Sequence, residues 1–94
     1  LAWRIEVSGS AERQFGRLDR QVARRIINFL RERVSTVANP RKLGKSLQGP
    51  LGEYWQYRVG DYRIIVDIQD SSLVVLVVAV GDRKQIHRQF RRIV

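Results

Sequence analysis

The spacing of hydrophobic and polar positions changes period once along this chain, after residue 52. Before that point the repeat is mostly helical. "AWRIEV", residues 2–7, alternates and predicts a first strand, after which Ser8 or Ser10 can cap a helix. Ala11, Phe15 and Leu18 then recur at helical spacing, and Asp19 can cap a second helix, "RQVARRIINFLRERV", over 20–34. Val22, Ile26, Phe29, Leu30 and Val34 form its apolar face, with Arg24, Arg25, Arg31 and Arg33 around the rest. Leu18-Asp19-Arg20 leaves only a tight break, so the two helices form a hairpin. A loop with Asn39-Pro40 and several glycines runs on to Gly52.

From residue 53 a period of two takes over. "EYWQYRV" (53–59) and "YRIIVDI" (62–68) flank Gly60-Asp61, a two-residue hairpin signal. Gln69-Asp70-Ser71-Ser72 is a turn into "LVVLVVAV" (73–80), which is apolar on both faces and therefore expected inside the sheet. "DRKQIHRQFRRIV" (82–94) predicts a last helix with Ile86, Phe90 and Ile93 facing inward. The expected order is βααβββα in a single domain over 1–94. It is an α+β fold, a helical hairpin packed on a mainly antiparallel sheet of about four strands. The first strand joins at an edge or beside the fourth. Trp3, Trp55 and Tyr62 read as core or edge packing.

Strand parity then selects a face. If the Gly60-Asp61 turn closes, Val59 pairs with Tyr62 and Arg58 falls opposite Arg63. Like charges across a ladder repel, and an anion seated between them would relieve that repulsion. Tyr62, Ile64, Val66 and Ile68 point toward the helices. The other face offers Tyr54, Gln56, Arg58 and Arg63. The fourth strand leads into Arg83, which shares a helical face with His87 and Arg91 at i, i+4 and i+8. If the fourth strand lies beside the third, Arg83 and His87 approach the same surface. Guanidinium forks suit a phosphate, and aromatic rings suit unstacked RNA bases.

Composition narrows the partner. The chain has 94 residues and a formal net charge of +9, from 18 Lys+Arg against 9 Asp+Glu. In a folded domain that imbalance points to a polyanion. There is no cysteine and one histidine, so thiolate zinc sites and disulfide frameworks are excluded and neither a metal nor a cofactor is expected. "LAWRIEVSGS" reads as a strand rather than a signal peptide. The longest apolar run, eight residues, cannot span a bilayer. A cytoplasmic protein without a membrane partner is the expectation.

The order βααβββα, with "LQGPLGEYWQYRVGDYRIIVDI" (47–68) and "VVAVGDRKQIHR" (77–88), resembles the RelE/ParE superfamily of bacterial toxins, and the resemblance covers essentially the whole chain. It implies a RelE-like microbial RNase-type fold. It also implies a type II toxin that acts as a ribosome-dependent mRNA endonuclease. Such an enzyme cuts in the A site through the 2′-hydroxyl beside the scissile phosphate, without metal. The partners implied are a smaller acidic, RelB-like antitoxin and the ribosome with its mRNA. Carried over by motif, Arg63 would neutralise the phosphate in the transition state and Arg83 would lie near the leaving 5′-oxygen. His87 sits where many relatives carry a tyrosine, and would stack on a base or transfer a proton. Arg58 and Lys45 match further basic positions. Lys42, in the basic loop "RKLGK", together with Arg88 and Arg91, would contact RNA phosphate. The best-studied branch carries lysines on the second strand where this chain has Tyr54 and Gln56. A phenol stays protonated near neutrality and an amide does not titrate, so proton transfer falls to His87, with Glu53 the weaker candidate since parity turns it toward the helices. The alternative within the superfamily is a ParE-like poison that binds gyrase and cleaves no RNA.

Overall fold

The computed structural model describes residues 2–47 and 53–90. Ser8 follows β1 (Arg4–Val7) and caps α1 (Gly9–Gly16), its Oγ accepting from the Ala11 N–H at 3.1 Å. Asp19 likewise caps α2 (Arg20–Phe29), accepting from the Gln21 N–H at 3.0 Å. Helix α1 ends before Leu18, which lies in the break between the helices yet still packs on the core. The regular bonding of α2 also stops short of the predicted end. Leu30–Val34 continue as a π turn, in which the Ser35 N–H donates to the Leu30 carbonyl at 2.9 Å. Ile26, Leu30 and Val34 are spaced by four, so a regular helix at about 100° per residue would rotate Val34 by about 80° away from Ile26. The wider turn cancels much of that drift, and all three side chains are buried.

The segment expected to be a loop holds two short elements. Pro40–Leu43 form a 3₁₀ turn, capped by Asn39 Oδ1 accepting from the Arg41 N–H at 3.1 Å. Lys45–Ser46 then form β2, a fifth strand antiparallel to the next one. Two residues are too few for a period to register, so the expectation of about four strands falls one short. Gly44 makes the added pairing possible. A Cβ there would stand 2.6 Å from the Gln56 carbonyl oxygen and 2.8 Å from Tyr57 Cδ1.

Strands β3 (Tyr54–Val59), β4 (Tyr62–Gln69) and β5 (Val74–Asp82) complete a sheet in the order β1-β5-β4-β3-β2. All neighbours are antiparallel except β1 with β5. Strand β1 is thus both at an edge and beside the long apolar strand. That strand, β5, lies inside the sheet, with β4 at the centre. The hairpin register is the expected one, with Val59 opposite Tyr62 and Arg58 opposite Arg63. Gly60 takes φ +59°, the left-handed conformation that the tight turn demands. The next turn is Asp70–Ser72, with Leu73 at φ +52°, so β5 begins at Val74 and runs on to Asp82 rather than stopping at Val80.

Both faces of the sheet are covered. On one, Ile64, Val66, Val75, Val77 and Val80 pack with Trp3, Ala11, Ile26, Leu30 and Val34. Trp55 and Tyr62 pack against the same cluster and are partly buried. The Tyr57 hydroxyl donates to the Pro40 carbonyl at 2.9 Å, and burial pushes its pKa above the usual phenol range. On the other face Leu47, Ile65, Ala79 and Ile86 form a second cluster, with Tyr54, Val78 and Phe90 against it. It is closed by α3 (Arg83–Gln89), which starts one residue later than predicted because Asp82 is its cap. Asp82 Oδ1 accepts from the Gln85 N–H at 2.8 Å, and Gln85 Oε1 accepts from the Asp82 N–H at 2.9 Å. This reciprocal pair is a capping box. Ile86 and Phe90 face inward as expected; Ile93 lies outside the described residues. No helix among the described residues is long and apolar enough to cross a membrane.

Candidate functional site

The hairpin presents Gln56, Arg58 and Arg63 on the face that α3 only partly covers. Strand β2 adds Lys45, whose Cα pairs with that of Gln56. On the far side β5 pairs Gly81 with Arg63, and two residues later Arg83 opens α3. The Arg83 N–H donates to the Asp61 carbonyl at 3.2 Å, tying the helix start to the hairpin turn. These elements enclose a groove of about 230 Å³ lined by Lys45, Gln56, Arg58, Arg63, Arg83, Ile86 and His87.

Its electrostatics are one-sided. Arg63 is half-buried, and its affinity for the proton is lowered first by that burial, then by the charges of Arg58 and Arg83, with Asp61 partly compensating. A guanidinium still keeps its proton at any physiological pH. Three fixed positive charges therefore crowd one concavity. Among the described residues the ion pairs are Arg4–Glu6 and Arg41–Asp70, and neither involves the groove. The Arg63 side chain donates only a long bond, 3.4 Å, to the Tyr62 carbonyl. Guanidinium groups that converge on a concave surface without an ion-pair partner among the described residues are the donor set for a phosphate or another oxyanion. Among the described residues no group of three or more His, Cys, Asp or Glu side chains is placed to hold a metal ion.

The remaining candidates divide. Lys45 is exposed at the groove rim, on a strand rather than in a loop. Tyr54 shares the face but not the groove. Its ring meets Phe90 edge to face at 6.5 Å, so it packs on the second cluster. Glu53 lies in the turn before β3 and is exposed, not turned in toward the helices. Lys42 is exposed and does not line this groove. Arg88 lines a neighbouring depression with Arg83, Lys84 and His87. Arg91 lies outside the described residues. Sequence reasoning missed two participants. Ile86 lines the groove beside the arginines. Gly81 stands opposite Arg63 with no side chain, and a Cβ there would meet Gln85 Oε1 at 2.8 Å. The signal for Gly81 was its place in "VGDR", directly before the capping Asp82.

Comparison with known proteins gives the family and the fold. Residues 5–87 match the family model for the ParE toxin of type II toxin–antitoxin systems, parDE. Among solved structures, the RelBE2 toxin–antitoxin complex of Mycobacterium tuberculosis superposes with a TM-score of 0.81 at 23% identity, covering 88% of this chain and 93% of that one. The isolated Escherichia coli RelE toxin gives 0.69 at 18% identity, covering 94% of each chain. The RelE–RelB complex of the archaeon Pyrococcus horikoshii gives 0.69 at 21% identity, covering 88% of this chain and 97% of that one. No curated protein matches the sequence.

Proposed function

Because the chain belongs to the ParE toxin family of type II toxin–antitoxin systems, within the RelE/ParE superfamily, we propose that it is an endonuclease that cuts mRNA in the A site of translating ribosomes. One observation carries the reading: Arg58, Arg63 and Arg83 surround a single groove with no carboxylate partner among the described residues, beside the chain's one histidine. The scissile phosphate sits between the arginines. The 2′-oxygen of the preceding nucleotide attacks phosphorus as the bond to the 5′-oxygen breaks. The products are a 2′,3′-cyclic phosphate and a 5′-hydroxyl. Negative charge grows on the non-bridging oxygens, where Arg63 and Arg58 meet it, and on the leaving oxygen, near Arg83. His87 serves as the acid or the base of this step, taking the 2′-hydroxyl proton or giving one to the leaving oxygen, with water handling the other proton. Gln56 donates to the phosphate or to a base edge, and Lys45 holds a flanking phosphate.

The RelE structures with RelB bound support an antitoxin as a partner; on this reading it is acidic and covers the groove, in the cytoplasm where translation occurs. A second reading has its own support. The matching family model is the ParE one, and β3 carries Gln56 and a packed Tyr54, not lysines, on the groove face. On that reading the chain poisons gyrase by binding it.

Mapping 5′ ends of a reporter mRNA in a reconstituted translation reaction separates the two. Wild type should cut within A-site codons and leave naked mRNA intact. Arg63→Ala should lower the rate by about 10²–10³, and His87→Ala by about 10²–10⁴. Intact mRNA with wild-type toxin, together with inhibition of supercoiling, would transfer the assignment to gyrase. Cutting that survives His87→Ala would remove His87 from the chemistry.

A further inference from the structure

The groove does not end at His87. A second depression is lined by Arg83, Lys84, His87 and Arg88, sharing Arg83 and His87 with the groove. A third is lined by Gln14, Arg17, Leu18, Val80, Gln85, Arg88 and Gln89, sharing Arg88 with the second. Shared side chains thus set the three side by side around α3, from the hairpin side to α1. The exposed positions of α3 are Arg83, Lys84, Gln85, His87, Arg88 and Gln89. None is acidic, and Arg83/His87 and Lys84/Arg88 form adjacent rows at i, i+4. Across the third depression Arg17 continues the charge from the end of α1. The wall there is fixed, since Gln14 Nε2 donates to Gln89 Oε1 at 2.9 Å and Gln14 Oε1 accepts from the Val80 N–H at 2.9 Å. None of Arg17, Lys84 or Arg88 makes an ion pair among the described residues.

We propose that this track carries the mRNA strand onward from the scissile phosphate, with Lys84, Arg88 and Arg17 receiving successive backbone phosphates. The inference rests on the RNA-cleaving reading for its substrate but is tested by binding alone. A basic track wrapping a helix, with no exposed large apolar side chain among its described lining residues, fits a phosphate backbone better than a peptide, which needs apolar anchors. The apolar groove, lined by Ile5, Val7, Phe15, Ile27 and Leu30 with Glu12 and Arg31, lies between β1, α1 and α2.

The test is fluorescence anisotropy with 2′-O-methyl RNA, which cannot be cleaved, in oligonucleotides of four and twelve residues over a salt series. The variants are Arg17→Gln/Arg88→Gln and, as a control of equal charge, Arg20→Gln/Arg24→Gln on the exposed part of α2. For the twelve-mer, the track variant should bind about tenfold or more weakly at low salt. Its log–log salt slope should fall by about 1.4, two single-strand phosphates at about 0.7 each. The four-mer should show little difference, because it fills the groove alone. Arg17→Lys/Arg88→Lys should keep most of the slope, which excludes misfolding as the cause. Equal losses in the track variant and the control would overturn the proposal, and so would equal losses for both oligonucleotides. Competition by poly-glutamate that depends on Arg17 and Arg88 while RNA binding does not would give the surface to an acidic protein instead. Absence of ribosomal cleavage would leave these binding results standing, so the two failures are distinguishable.

Discussion

Replacing Arg58 by glutamine should make the protein more stable while weakening its hold on a phosphate. Arg58 is exposed and faces half-buried Arg63 across the hairpin. In the register beside a two-residue turn this is a non-hydrogen-bonded pair, the kind that brings side chains closest. Two charges about 6 Å apart repel by about 0.7 kcal/mol in water and about 3 kcal/mol at an effective dielectric of 20. Because Arg58 is open to solvent the low end applies, within the 0.2–1 kcal/mol typical of cross-strand pairs, roughly. A gain of about 0.5–1 kcal/mol in a domain of this size raises Tm by about 2–6 °C. The assay is thermal unfolding at low ionic strength and again at 1 M salt, where the screening length shrinks to about 3 Å and the gain should vanish. Arg58→Lys, which keeps the charge, should show no gain. Inorganic phosphate should stabilise wild type more than Arg58→Gln, since an anion between the arginines removes the same repulsion. A variant no more stable than wild type at low salt would refute the reasoning, as would a gain that salt does not touch or that Arg58→Lys shares.

Three further outcomes follow from the packing. Gly44→Ala should cost about 1–3 kcal/mol in urea unfolding, since its Cβ collides with the backbone of β3. It should also weaken RNA binding, by drawing Lys45 off the groove rim. Asp82→Ala removes the cap of α3 and should cost about 1 kcal/mol, with the loss of amide protection concentrated in residues 83–89 by hydrogen exchange. Asp70 is held below the usual carboxylate range by the side-chain hydrogen bonds from Arg41. A carboxyl whose folded pKa is depressed contributes stability that is present above its unfolded value and is lost as pH falls through the folded one. Asp70→Asn should therefore lower stability slightly at neutral pH, where the charged carboxylate is present, and flatten the acid limb of the curve below about pH 4, where variant and wild type converge.

Most of the fold was legible because its elements are long enough to show a period. The hairpin register was fully readable, since Gly60-Asp61 admits one pairing and parity then places Arg58 and Arg63 together. The elements that escaped are those without a period. Strand β2 is two residues long, and its existence depends on a contact between Gly44 and a strand ten residues away. The π turn at Leu30–Val34 shows only as apolar residues spaced by four where 3.6 would serve. Tyr54 was assigned to the correct face, yet the side chain that covers it, Phe90, comes from the far end of the chain. Strand parity supplies a face but not what else rests on that face.

The least legible feature is also the one on which the groove depends. "LVVLVVAV" looks like an unbroken strand, and by strict alternation Val75, Val77, Ala79 and Gly81 would share the helix-facing side. They do not. A bulge leaves Val78 unpaired between the Val66–Val77 and Ile65–Ala79 pairs. Val78 and Ala79 both lie with the second cluster, and Val80 returns to the first. Nothing in a run of valines marks where such an extra residue falls, because each of them is apolar on either face. The shift of one residue turns Gly81 to the Arg63 side, and with it the exit of the chain into α3. Bulges re-aim the residues that follow them. Here what is re-aimed is the helix bearing Arg83 and His87. An uninterrupted β5 would hold the hairpin arginines just as well but would send α3 off in the opposite phase, leaving Arg58 and Arg63 facing open solvent with no opposite wall. The groove thus joins a local feature, the hairpin, to a phase correction within a strand, and only the first of these is written in the residue types.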